Sequence, residues 1–433
     1  MTRSEGIGLV HKAPASDSGS ARWIALGVFF ASYTMIGVDR GIIAIMIEPI
    51  KREFGVSDTQ IGLLSGLAFA LFFAVASLPL GYLVDRWNRR LILALSLTFF
   101  SALTAMAGWA TSFTQLFVIR LGVGAGEAGG TPAMTSILAD HFPAERRATA
   151  LSFYYLGAPA AKILVLAVGG YLTMAYGWRS VFWAAGGAGL VLAAVILLFV
   201  KEPPRIQPQG GAAAASYLAT LAYIWRQPSL RHLLTTTTLT SAISTGALTW
   251  AVSFLVRSHG MTVAGAGLAI ALSFGVVGAM GTLASGAVVD WLAKRDVRWR
   301  CWVLAGAQLA AAPAFAIFAL SPSLIVSLCG FAVWSVAQAG LLAPIVSMCQ
   351  GLVGPRMRGT VMAVYSLLAH FVGVTVGPQL VGSASDLFRP TFGVDSLRYA
   401  LLLLCGLFIW AACHFLLASR TLERDLQRAE TAP

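Results

Sequence analysis

Asp39, Arg40, Arg120, Glu127 and Lys162 lie within otherwise apolar stretches of the chain, and His370 lies within another. An ionisable side chain at the centre of a membrane-spanning helix costs about 2.5–3.5 kcal/mol on insertion scales, so such residues face one another or a hydrated cavity and mark ion or substrate paths by default. A buried structural ion pair is the alternative reading. Arg120, Gly124 and Glu127 recur at i, i+4 and i+7 and therefore share one helix face. Gly122, Gly124, Gly126, Gly129 and Gly130 around them permit close backbone approach. Carboxylates and cations in this arrangement can exchange a proton and bind an anion. Glu127 is the expected proton carrier, because desolvation and the nearby Arg120 and Lys162 oppose each other and their balance changes with the side that is open. Protonating it would free an arginine for an anionic headgroup. Asp39 pairs with Arg40 or Arg120 and can exchange partners.

The elements that position these residues follow from composition. Of 433 residues, 58% are apolar and 11% charged, against roughly 45–50% and 25% in soluble domains. That excludes a soluble enzyme. The formal charge of +12 is carried by short basic clusters between apolar runs, not by one face, so no nucleic-acid partner is expected. Cys301, Cys329, Cys349, Cys405 and Cys413 form no C-x-x-C pair and read as small core residues. The first twenty residues are polar and lack an apolar signal region, so no cleaved signal peptide is expected. Apolar runs between Gly, Pro and charge predict helices near 22–47, 59–84, 90–110, 113–139, 148–173, 180–200, 230–256, 263–289, 300–320, 323–350, 358–384 and 397–419. With both termini cytoplasmic, 21 of the 30 Lys and Arg residues fall on the inner side and six on the outer side, namely Lys51, Arg52, Arg179, Arg257, Arg389 and Arg398. The expected location is a cell inner membrane. At 1.5 Å per residue, Asp39 lies about 12 Å and Arg120 about 10 Å from the outer helix ends, so the two can meet. Glu127 and His370 each lie about 18 Å, and Lys162 about 21 Å, from the inner end, so one midplane layer can hold all three.

Residues 201–229 form the longest polar interruption and divide the chain into bundles at 22–200 and 230–419, with cytoplasmic tails at 1–21 and 420–433. Gly81-Tyr-Leu-Val-Asp85-Arg86-Trp-Asn-Arg89-Arg90 recurs in weakened form at Gly286-Ala-Val-Val-Asp290-Trp-Leu-Ala-Lys294-Arg295, displaced by 205 residues. Duplicated halves suit a rocking carrier. The first of these strings, G-x-x-x-D-R-x-x-R-R after the second span, resembles the signature of the major facilitator superfamily of secondary transporters. The resemblance covers the whole layout. It implies an all-α membrane protein with twelve transmembrane helices in two pseudo-symmetric six-helix bundles. It also implies that Asp85 and Arg86, with Gly81, Arg89, Arg90 and Asp290, form a conformational switch at the cytoplasmic seam, helped by the dipole of the eleventh helix. Otherwise the arginines merely supply positive-inside charge.

Val38-Asp39-Arg40, Gln60-Ile-Gly-Leu-Leu64, Arg120-Leu-Gly-Val-Gly-Ala-Gly-Glu127-Ala128, Gly377-Pro378 with Ser385-Asp386, and Ser396-Leu-Arg-Tyr399 together resemble the spinster family of lipid transporters in a bacterial form. Organic-anion carriers of the same superfamily show strings similar to that around Glu127. The resemblance implies that Asp39, Arg40, Arg120 and Glu127 carry proton coupling and substrate contact, with His370 on the same path. A lone helix histidine is otherwise a packing residue. Lys162 departs from the family pattern and marks either a more anionic substrate or an ion pair with Glu127.

The seventh helix is dense in hydroxyls from Thr235 to Thr249, and Trp250, Phe254, Trp334 and Tyr365 supply aromatics to the same half. Half of those hydroxyls are accounted for by bonds to their own helix. Charges on one wall and an apolar face on the other suit an amphipathic molecule with a polar head, and Trp250, Phe254 and Tyr365 are the expected contacts from this half. No P-loop, metal cluster or nucleophile–base arrangement is evident, and no cofactor or metal is expected. The sequence thus reads as a monomeric, proton-coupled secondary transporter, not an enzyme, moving a lysophospholipid, sphingoid or related amphiphile by alternating access. A proton-coupled organic-anion (carboxylate) carrier is the alternative.

Overall fold

Long apolar segments whose backbone must satisfy its own hydrogen bonds inside a bilayer fold as helices. The computed structural model describes residues 19–203, 217–354 and 356–430, with a few single side chains, that of Asp85 among them, outside the description. The described residues are helical throughout their regular structure and form, besides a short helix between the two halves, twelve rods. These are α1 (Gly19–Phe54), α2 (58–86), α3 (Arg89–Ala107), α4 (113–141), α5 (144–176), α6 (Trp178–Phe199), α7 (Pro228–His259), α8 (Val263–Ala293), α9 (Trp299–Leu320), α10 (Leu324–Gly351), α11 (358–392) and α12 (Ser396–Glu430). Ten segments are long and apolar enough to cross a membrane; the last of them, Arg358–Ala429, holds both α11 and α12. α4 falls short only because a turn splits it into Phe113–Glu127 and Gly130–His141.

α1 to α6 form one bundle and α7 to α12 the other. Within each, the first rod packs on the fifth and sixth (α1 on α5 and α6, α7 on α11 and α12). A Cβ at Gly124 would fall on the carbonyl of Phe69, so α2 and α4 meet backbone to backbone at the level of the buried charges. Single-turn π segments interrupt α5 (Leu164–Val168), α8 (Ala271–Val277) and α11 (Leu367–Gly373). Such segments are rare and cluster at functional sites. Ser57 and Gln60 form a capping box at the start of α2, and α7 ends on Gly260 in the left-handed conformation.

Two features depart from the sequence reading. Within 201–229, a helix spans Tyr217–Arg226. The C-terminal tail, expected as a solvated helix end from Arg420, is helix to Glu430 but is packed on its own half: Leu422 and Asp425 are buried and the Asp425 carboxylate accepts the backbone N–H of Ser229 at 3.0 Å. Residues 1–18 of the expected N-terminal tail lie outside the described residues.

Candidate substrate and proton site

A cavity of ≈ 150 Å³ lies between the halves. From the first half it is lined by Arg40, Phe69, Phe73, Arg120 and Lys162, and from the second by Thr245, Thr249, His370, Val374 and Pro378, among others. Its charged wall is built of two crossed ion pairs between α1 and α4. The Arg120 guanidinium donates to Asp39 Oδ2 at 2.7 Å, and Thr104 of α3 donates to Asp39 Oδ1 at 2.5 Å. The Arg40 Nε donates to Glu127 Oε2 at 2.8 Å. Asp39, Arg120 and Glu127 are each at most 2% exposed. Consecutive residues Asp39 and Arg40 lie about 100° apart around a helix, so each reaches a different partner on α4. The Arg40 guanidinium also lies over the rings of Phe69 and Phe73, at 5.1 and 5.2 Å. Glu127 Oε1 and Arg120 Nε are buried without a hydrogen-bond partner among the described residues.

Asp39 and Arg120 meet as their depths predict. Glu127 pairs with Arg40, and not with Arg120 or Lys162, and it stands behind Arg40 instead of lining the cavity. Lys162 lines the cavity, with no ion pair for it among the described residues. His370 lines it from the π segment of α11, its Nδ1 donating to the Ser366 carbonyl at 3.2 Å. The cavity therefore presents Arg40, Arg120, Lys162 and His370, while both nearby carboxylates are held by arginines.

The expected aromatic contacts are core residues in this conformation. Trp250 is fully buried and its indole N–H donates to the Pro378 carbonyl at 3.0 Å. Phe254 packs on Phe318 with ring centroids 4.8 Å apart, and Tyr365 is buried in the second bundle. Most of the α7 hydroxyls bond back to carbonyls four residues earlier, as at Thr235, Thr236, Thr237, Thr238 and Thr240. Thr245 and Thr249 reach the cavity.

At the expected switch, the Asp85 side chain lies outside the described residues. Arg86 lies over the Tyr82 ring at 4.2 Å, and Asp290 is exposed. A Cβ at Gly81 would meet nothing within 4 Å. Arg89 is the buried member of the motif. It binds Asp140 at 2.5 Å, Glu202 at 2.8 Å and Ser136 Oγ at 3.0 Å, while the backbone N–H of Arg90 donates to Glu202 at 2.8 Å. This ties α3 to α4 and to the start of the linker within one half.

The sequence reading missed a second charged cluster, which joins the halves at the end remote from Gly19 and Glu430. Arg257 of α7 donates to Glu48 of α1 at 2.7 Å and, through both terminal nitrogens, to Asp58 of α2 at 2.8 and 2.9 Å. Lys51 also pairs with Asp58, and Ser385 of α11 donates to it at 2.7 Å. Asp386 accepts the backbone N–H groups of Asp58 and Thr59 at 3.1 and 2.7 Å, at the start of α2. A carboxylate there satisfies the open N–H groups of the first turn. Close backbone approaches such as Gly62 to Pro378 and Gly267 to Leu166 lie toward the same end. The molecule is thus clasped at its distal end.

Residues 29–378 match the model of the Major Facilitator Superfamily. The chain belongs to that superfamily. This transporter is 32% identical over 409 residues, covering 93% of this chain and 94% of the relative, to an MFS-type efflux pump of Mycolicibacterium smegmatis. It is 29% identical to the sphingosine-1-phosphate transporter SPNS2 of Mus musculus, covering 88% and 75% of the two chains. With the probable L-galactonate transporter of Escherichia coli it shares 28% over 88% and 84%. The crystal structure of a bacterial homologue of the human lysosomal transporter spinster, inward-facing and unoccupied, superposes with a TM-score of 0.87 at 27% identity, covering 94% of this chain and 99% of that one. The transporter is accordingly a multi-pass membrane protein of a superfamily of carriers and not of enzymes, and spinster proteins are among those it is similar to.

Proposed function

We propose that this transporter moves an amphiphile with an anionic headgroup, of the lysophospholipid or sphingoid class, across the cell's inner membrane in exchange with or alongside protons. The observation that carries the reading is the cavity wall, where Arg40, Arg120, Lys162 and His370 face apolar surface from Phe69, Phe73, Leu166, Leu248 and Val374. A space of ≈ 150 Å³ suits a headgroup, since whole drug-sized ligands take about 300–1,000 Å³, and the hydrocarbon chain extends out of it. With the termini cytoplasmic, the distal clasp closes the outer side and the molecule faces inward.

Proton coupling runs through Glu127. When its carboxylate is protonated, the Arg40 guanidinium loses its ionic partner and is available to the headgroup. When the headgroup leaves, Arg40 takes the carboxylate back. Asp39, held by Arg120 and Thr104, fixes the neighbouring turn of α1 against α4. The two sites are linked through one arginine, which supports either direction of exchange. The switch motif acts through Arg89, which makes α3, α4 and the linker start move as one body, with Asp85 and Arg86 at the seam.

A second reading, a carboxylate carrier, is favoured by the cluster of cations and by the similarity to the L-galactonate transporter. Purified protein in liposomes under a pH gradient separates the two. Gradient-dependent movement of labelled lysophospholipid, with none of a sugar acid, supports the amphiphile; the reverse supports the carboxylate.

A further inference from the structure

A second concavity, ≈ 750 Å³, lies outside the central cavity, a volume within the ordinary range for a ligand site, about 300–1,000 Å³. Its walls are α7, from Arg231 through Thr235 to Leu239, and α11 at Val364 and Leu368. The linker helix Tyr217–Arg226 covers one end with Leu221 and Trp225, and Trp410 of α12 stands at the mouth. α12 contributes nothing to the central cavity, and Trp410 is 53% exposed, so the groove opens on the outer perimeter of the bundle. Arg231 and Thr238 lie three and ten residues into α7, so the groove runs from about 5 to about 15 Å above the start of that helix. That is the depth of the headgroup boundary and the upper acyl chains of the leaflet on the termini's side.

An apolar slot at this depth is filled by hydrocarbon, and the polar features say which. Arg231 is exposed, with its guanidinium 5.7 Å from the centre of the Trp225 ring and no ion pair for it among the described residues. Arg226 ends the linker helix beside it. Arg and Trp together mark the membrane interface, and a basic side chain there attracts anionic lipid. Thr235 and Thr238 bond back to their own helix, so the slot below Arg231 presents little unsatisfied polarity.

We propose that this groove binds a phospholipid of the surrounding leaflet, with one acyl chain lying along α7 between α11 and Trp410 and an anionic headgroup on Arg231. The site is independent of the substrate reading. It has a mechanical consequence, because the lipid chain fastens the linker helix to the second half. The groove is also a close neighbour of the central cavity. Along the same pair of helices, α7 and α11 are joined between the two where Ser241 donates to Ala369 at 2.6 Å and Thr245 to Gly373 at 3.2 Å.

The test uses the full chain in liposomes carrying a trace of diazirine-tailed phosphatidylglycerol or phosphatidylcholine, with photo-adducts mapped by peptide mass spectrometry. Adducts are expected to concentrate in residues 221–239 and 364–368, with phosphatidylglycerol favoured about fivefold, the value of one interfacial arginine. Arg231→Gln is expected to equalise the two lipids. Thr235→Trp fills the slot and is expected to remove these adducts while labelling around the exposed Leu198 and Phe199 persists. Uniform labelling around the perimeter, equal labelling by both lipids in the unaltered chain, or a groove signal that survives Thr235→Trp would each reduce the site to ordinary annular contact and overturn the proposal.

Discussion

Replacing Arg257 by Gln should release the distal clasp and shift the carrier toward its outward-open state. Arg257 makes three charge-assisted bonds of 2.7–2.9 Å across the boundary between the halves, with its side chain 16% exposed and that of Asp58 2% exposed. Removing one partner of a buried pair costs about 3–5 kcal/mol. Lys51 still neutralises Asp58, Ser385 still donates to it, and Glu48 is partly solvated, so the loss falls just below that range. Because the bonds exist only while the distal ends are together, about 2–3 kcal/mol enters the conformational equilibrium directly, a shift of roughly 30- to 150-fold. Arg257→Lys keeps the charge without the fork and should fall between. Spin labels at the exposed Arg52 and Val394, in a background without native cysteines, report the distal opening by pulsed electron resonance. A longer-distance population should appear in the Gln variant. An unchanged distance distribution in a folded, monodisperse sample would refute the assignment of these bonds as the closing element.

Glu127→Gln should abolish pH-gradient-driven movement while substrate counterflow continues, measured in proteoliposomes; unaltered pH dependence would discard Glu127 as the coupling group. Lys162→Met should lower affinity for anionic headgroups by roughly tenfold, the worth of one hydrogen bond to a charged group, with zwitterionic headgroups little affected in a binding titration, and Lys162→Arg should retain the preference. Arg89→Ala leaves Asp140 and Glu202 without their shared cation, a loss of about 3–5 kcal/mol for a buried pair; a scan of thermal unfolding should show a clear fall in the midpoint, whereas Arg86→Ala should leave it near that of the unaltered chain.

The layout of the helices was legible because each span must be apolar over its whole length, and the buried charges were legible because they violate that demand. Depth along a helix follows from residue counting, which is why Asp39 and Arg120 meet as expected. Rotation about the axis does not follow from counting when a neighbouring helix can turn. The partner of Glu127, Arg40 instead of Arg120 or Lys162, therefore needed coordinates. The clasp of Glu48, Asp58 and Arg257 gave no such signal, since charges at helix ends cost nothing and read as solvated. The nearest hint was the capping box at Ser57 and Gln60, which fixes the first turn of α2 with its open N–H groups toward Asp386. The aromatic residues of α7 were read as cavity wall because composition alone does not separate a wet face from a core face; Trp250 is buried with its N–H satisfied by a backbone carbonyl.

The π segments of α5 and α11 overlap when the second half is slid back by the 205 residues that superpose the two copies of the Gly81 motif, and Gly66, where α2 breaks between Asp58–Ser65 and Leu67–Arg86, then meets the first residue of the segment in α8. A one-residue insertion into a helix survives because everything beyond it is rotated by about 100° and later packing depends on that rotation. Irregularities at matching heights in both copies therefore belong to the repeated unit itself and not to one half alone. They also fix a rule for descendants of this chain. A deletion that straightens either rod must swing the residues on one side of it, Lys162 and His370 included, out of the central cavity, so length changes at these two points are closed to drift while loops remain free to vary.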